Sequence, residues 1–100
     1  MKNESDVKAI VKSVLKSTQL CWWFMPSANG YGRAGIPDFV GCVNGYMFAV
    51  ETKYGKGSTT ANQDKEISAL MRANTKVWIV RETSVDAWVT EFLAWAALCS

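Results

Sequence analysis

Asp38, Glu51 and Lys53 are the residues of this chain whose types and spacing best suit chemistry. Asn44-Gly45 separates two β-prone runs, 38–43 and 46–53, and is the strongest short-range signal for a two-residue type I′ hairpin. With that loop, Val43 faces Tyr46, Cys42 faces Met47, Val40 faces Ala49 and Asp38 faces Glu51. Side chains alternate along a strand and cross-strand partners share a face, so Asp38, Glu51 and Lys53 form one cluster. Two carboxylates opposed at about 5 Å destabilise a sheet unless a cation offsets them. A hard divalent ion, Mg²⁺ or Mn²⁺, accepts one or two carboxylates with waters and a phosphate oxygen, and the Thr52 backbone carbonyl offers one oxygen more. Such an ion polarises a phosphoryl group and acidifies an attacking water, while Lys53 stabilises developing negative charge. Phosphodiester hydrolysis is the chemistry this cluster suits. Two plainer readings stand beside it. Asp38 is also a natural turn residue after Pro37, with Glu51 and Lys53 in solvent at the end of an edge strand. A one-residue slip would also move Asp38 to the other face.

Composition narrows the alternatives. One hundred residues, 49% hydrophobic and 20% charged, fit one folded domain over 1–100 rather than a disordered chain. The absence of histidine removes most zinc hydrolase designs and every triad that needs imidazole. Cys21, Cys42 and Cys99 are odd in number and widely spaced, which excludes a disulfide framework and a CxxC zinc site; they read as buried thiols. The uncharged stretch 17–31 is broken by Pro26, Asn29 and Gly30, so no membrane span is expected. Lys2, Lys8, Lys12 and Lys16 run through residues 1–20 without an apolar h-region, so no secretory signal is expected and the default compartment is the cytoplasm. A net charge of +2 is too small to imply nucleic acid by itself.

The elements that must position the cluster follow from periodicity. Val7, Ile10, Val11, Val14 and Leu15 recur at helical spacing over 4–19, with Asn3 as N-cap and the lysines at 8, 12 and 16 on the other side. Residues 21–25 read as a short buried strand. A glycine-rich loop with Tyr31 and Arg33 follows, and then the hairpin. After a basic glycine-rich loop over 53–58, Thr60-Ala-Asn-Gln63 matches a capping box for a second helix reaching about Asn74. Residues 76–81 make a fourth strand, and Ser84 is placed to cap a last helix carrying Trp88, Phe92 and Trp95. The order is αβββαβα.

Gly35-Ile-Pro-Asp38, Glu51-Thr-Lys53 and Gln63, in this order, resemble the motif set of the PD-(D/E)xK nuclease superfamily and, within it, of the VRR-NUC family. The resemblance covers nearly the whole chain. It implies an α/β, restriction-endonuclease-like core in which a central mixed β-sheet is flanked by helices. It further implies Asp38 and Glu51 as metal ligands, Lys53 as the catalytic lysine, Gln63 as the helix glutamine of the active centre and Glu4 as the acidic residue of the first helix. Gln63 is also the expected capping-box residue, and an acidic residue at Glu4 is also what a helix dipole favours. The family's Val-Arg-Arg signature is matched only in part, by Val80-Arg81-Glu82, which leaves Arg81 as a candidate phosphate contact. Short stand-alone bacterial and phage members imply a homodimer that cuts branched DNA, such as four-way (Holliday) junctions in DNA repair, with Mg²⁺ or Mn²⁺ and no small-molecule cofactor.

A basic rim of Arg33, Lys53, Lys56, Lys65 and Arg72 around the acidic centre suits phosphate contacts, the plainer reading being scattered solubilising charge, and Tyr31 and Tyr54 suit stacking on unpaired bases. The tryptophans read as core or as dimer interface, with the last helix the place to test. The alternative function is a non-catalytic nucleic-acid-binding module that keeps the nuclease fold, against which the intact Asp, Glu and Lys argue.

Overall fold

The computed structural model describes residues 1–27 and 32–100. Its elements are α1 (Glu4–Ser17), β1 (Cys21–Phe24), β2 (Phe39–Val43), β3 (Tyr46–Thr52), α2 (Ala61–Arg72), β4 (Lys76–Val80) and α3 (Val85–Cys99), in the expected order. The strands lie side by side as β1-β2-β3-β4, with β1–β2 and β2–β3 antiparallel and β3–β4 parallel, so the sheet is mixed.

The hairpin forms as its turn residues require. Asn44 and Gly45 both take positive φ, 49° and 86°, the signature of a type I′ turn. The Asn44 side chain donates to the Cys99 carbonyl at 2.8 Å, tying the turn to the end of α3. The pairing runs from Val43↔Tyr46 to Phe39↔Val50 in the anticipated register. It stops one pair short of Asp38.

α1 starts at a full capping box, in which the Asn3 side chain accepts from the Asp6 N–H and the Asp6 side chain accepts from the Asn3 N–H. It ends at Ser17 rather than 19, because the Ser17 and Thr18 hydroxyls both turn back to the Val14 carbonyl, at 3.0 and 2.7 Å. α2 ends at Arg72, two residues short of expectation, where Asn74 takes a left-handed φ of 69° and the Thr75 N–H returns to the Leu70 carbonyl. Ser84 occupies the cap position of α3 without a side-chain cap bond. Its hydroxyl accepts from the Arg81 N–H instead, closing the turn between β4 and α3.

One sheet face carries the core. Phe39, Val43, Phe48, Val50, Trp78 and Val80 pack with Val7, Val11 and Leu15 of α1 and with Val85, Trp88 and Phe92 of α3. Trp95 completes an aromatic cluster with its ring centroid 5.5 Å from that of Trp78 and 6.0 Å from that of Phe48. Glu51, of opposite parity to Val50, points to the other face, which α2 reaches. Cys99 is buried, but Cys21, on the edge strand β1, and Cys42, on the face it shares with exposed Trp22 and Met47, are only half-buried; all three are free. Burial and the neighbouring Cys42 push the Cys21 thiol up to about 11, so it stays protonated. Among the described residues no helix is long and apolar enough to cross a membrane.

Candidate active site

β3 ends at the cluster and sends its groups in alternate directions. The Lys53 N–H donates to the Val80 carbonyl on β4, whereas the Thr52 N–H points towards β2. There it meets a side chain rather than a backbone. Asp38 Oδ2 accepts from the Thr52 N–H at 2.9 Å and from the Thr52 hydroxyl at 2.6 Å. Asp38 is thus outside the ladder, as a turn residue after Pro37 would be, yet its carboxylate is fixed at the end of β3. The turn half of the plainer reading holds, but its other half does not: β3 lies between β2 and β4 rather than at an edge, and Glu51 and Lys53 are turned away from solvent.

Glu51 is 3% exposed. Its Oε2 lies 3.2 Å from the Lys53 ammonium and accepts from the Gln63 amide at 3.0 Å, while Oε1 is buried without a hydrogen-bond partner. Gln63 serves cap and cluster at once. Its Oε1 accepts from the Thr60 N–H and from Lys53 Nζ, both at 2.9 Å, its N–H donates to the Thr60 hydroxyl, and its amide nitrogen holds Glu51. The capping box that starts α2 therefore sets the position of the Lys53 ammonium.

Gly35 fixes the approach of the preceding loop. Its φ is 82°, and a Cβ there would lie 2.4 Å from the Asn62 carbonyl oxygen and 2.8 Å from the Gln63 nitrogen. Only glycine lets the loop ahead of Asp38 press this closely on the first turn of α2. Gly35→Ala is expected to destabilise the fold by about 1–3 kcal/mol and to lower any activity of the cluster, as read by urea denaturation beside turnover. Unchanged stability would show that the loop packs otherwise.

Burial first, and the Asp38 charge second, push the Glu51 carboxyl above its ordinary range, with Lys53 and the nearby Asp38 backbone N–H opposing. The folded, metal-free chain therefore holds this proton to higher pH than the unfolded chain does. The resulting stability is fully present below the unfolded value of ~4.3 and is lost as pH rises through the raised folded value. Melting temperature without metal should decline across that window, and Glu51→Gln should flatten the decline. Equal slopes in both proteins would assign it to other groups.

Lys8 is a member of the site that the helical pattern had placed on the outer side of α1. Its ammonium lies 3.3 Å from Glu4 Oε2 and 3.7 Å from Asp38 Oδ1, so Glu4 meets the cluster only through Lys8. The available signal was the i,i+4 spacing of Glu4 and Lys8. Glu82 was missed as well. It accepts from the Gly55 N–H at 3.1 and 2.8 Å, while the Arg81 guanidinium donates to the Gly55 and Gly57 carbonyls. Together they clamp the basic loop.

The expected nucleic-acid contacts are dispersed. Arg33 donates to Glu66 Oε1 at 2.9 Å and so anchors its loop on α2. Lys56, Lys65 and Arg72 are exposed. Tyr54 packs against the core, and its hydroxyl donates to the Met1 carbonyl at 3.1 Å. Tyr31 lies outside the described residues.

Among the described residues no group of three or more His, Cys, Asp or Glu side chains is placed to hold a metal ion. Two carboxylates with main-chain and solvent oxygens are nevertheless a donor set that Mg²⁺ accepts. The orphaned Glu51 Oε1 fits it too, because buried polar atoms are nearly always satisfied.

No protein-family model matches this sequence, and no curated protein does so either. In three dimensions it matches a solved structure described as a VRR_NUC domain, with a TM-score of 0.72 and 21% identity, over 87% of this chain and 94% of that one. At that identity the likeness establishes a shared fold.

Proposed function

We propose that this chain, which has the fold of a VRR_NUC domain, is a single-domain, metal-dependent DNA endonuclease of the VRR-NUC type that hydrolyses phosphodiester bonds. The observation that carries the reading is Glu51, a buried carboxylate with one unpartnered oxygen, held by Gln63 and Lys53. Asp38 and Glu51, with the Thr52 carbonyl, would hold Mg²⁺ or Mn²⁺. When bound, the ion supplies Lewis-acid polarisation of the phosphate and an acidified water.

The chain's own residues do the rest. Gln63 holds the Lys53 ammonium beside Glu51, where it stabilises negative charge on the phosphate oxygens as the bond breaks. Thr52 fixes one Asp38 oxygen and leaves the other turned towards Lys8. Glu4 sits behind Lys8 at the rim of the cluster. Arg81 and Glu82 shape the loop that carries Lys56 towards DNA, while Lys65, Arg72, Arg33 and the tyrosines Tyr31 and Tyr54 are proposed as further contacts.

Branched DNA is the proposed substrate, cut by a homodimer, since paired cuts at a four-way junction need two centres. With Mg²⁺, a panel of single-stranded, duplex, flap and four-way-junction DNA should show the junction cut preferentially. Indifference to structure would overturn the junction assignment.

A further inference from the structure

We infer that the free edge of β1, with the aromatic face beside it, is where two copies of this chain join, β1 against β1 across a two-fold axis. The inference rests on the dimer proposed above and assigns its surface.

β1 ends the sheet on one side. Proteins usually blunt such an edge with charges, proline or a bulge. Cys-Trp-Trp-Phe of β1 carries no charge and no proline, so a second copy meets it without like-charge repulsion. One side of the strand is already used internally. Trp23 packs on Phe39 with ring centroids 5.9 Å apart, and closes on Gly41, where a Cβ would lie 2.8 Å from Trp23. The other side is open. Trp22 is 64% and Phe24 45% exposed, their rings 5.5 Å apart. Met47, on the same face through the pairing Trp22↔Cys42↔Met47, is 40% exposed, and Met25 just beyond the strand 38%.

Trp22, Phe24 and Met47 leave on the order of 300 Å² of apolar surface in water, within the range of patches that mark an interaction site. Leu20, exposed just before β1, extends it towards the roughly 800 Å² per partner of a stable interface. α3, where the tryptophans suggested an interface, offers less: its Trp88 and Trp95 are packed among Phe48, Phe92 and Trp78 of β4, which leaves Leu93 and Leu98 as its exposed large side chains.

A two-fold axis perpendicular to the sheet makes the paired strands antiparallel and keeps their faces aligned. With Trp23 opposite the partner's Trp23, Trp22 falls against the partner's Phe24, and four aromatic side chains share one face. Met47, Ala49 and Glu51 alternate onto that same face. The joined, eight-stranded sheet therefore presents both Glu51 clusters on one side.

The test is the mass of the purified protein by sedimentation and light scattering at micromolar concentration, without DNA. Wild type should have twice the chain mass. Trp22→Lys with Phe24→Lys should weaken self-association at least about tenfold with an unchanged far-ultraviolet spectrum. Trp22→Thr with Phe24→Thr, which keeps strand propensity, should do the same should the lysine pair fail to fold. Leu93→Lys with Leu98→Lys on exposed α3 positions should leave the dimer intact. Folded β1 variants that stay dimeric would overturn this surface and leave the dimer standing. A monomeric wild type, including one whose Trp22 instead binds short single-stranded DNA, would overturn surface and dimer together and leave the hydrolytic reading untouched.

Discussion

Lys53→Ala is expected to lower DNA cleavage by at least about 10²–10³-fold, the scale of losing one preorganised charge-stabilising donor, with folding and metal-free DNA binding near wild type. Lys53 sits between Gln63 Oε1 at 2.9 Å and Glu51 Oε2 at 3.2 Å, largely out of solvent. Its position is therefore set before substrate arrives, and its charge acts where water screens it poorly. Truncation removes that charge from the reacting phosphate but takes no side chain from the core. Glu51, already pushed towards its protonated form, answers the loss of its counter-charge by holding its proton rather than by unfolding the chain. Single-turnover cleavage with Mg²⁺, read beside binding in chelator, checks the two halves separately. Wild-type turnover by the variant would remove Lys53 from the mechanism.

Asp38→Asn is expected to abolish the rise in melting temperature on adding Mg²⁺ or Mn²⁺, and with it cleavage. An ion at a hundred times its dissociation constant stabilises the folded state by about 2.7 kcal/mol. For a chain of this length that corresponds to a rise of roughly ten degrees or more. The substitution should leave the fold in place, because an asparagine oxygen still accepts from the Thr52 N–H and hydroxyl. What disappears is the negative charge that a divalent ion requires. A full metal-induced shift in Asp38→Asn would place the ion elsewhere.

Much of this arrangement was legible in the residues. Asn44-Gly45 specified the turn, the turn specified the register, and parity then put Lys53 beside Glu51, where the structure has it. Thr60 and Gln63 announced both the start of α2 and the link to the cluster. Three features were not legible, each for a physical reason. The Asp38 side chain, rather than its backbone, takes the Thr52 N–H, a choice that strand alternation does not encode. Lys8 belongs by period to the outer side of α1, but a lysine's long stem carries its ammonium past the end of the sheet to Asp38. The Arg81–Glu82 clamp on Gly55 and Gly57 joins segments far apart in sequence and leaves no periodic trace. Element ends moved by a residue or two where side chains, such as Ser17 and Thr18, competed for the last carbonyls.

Asp38, Glu51 and Lys53 are proposed as a centre that cuts DNA with the help of a divalent cation. Incubation of the purified protein with four-way-junction DNA, with Mg²⁺ or Mn²⁺ and again in excess chelator, tests it most directly. Cleavage is expected with metal, stopping with chelator and returning when metal is restored; unchanged cutting in excess chelator, or none under any metal, would contradict this assignment.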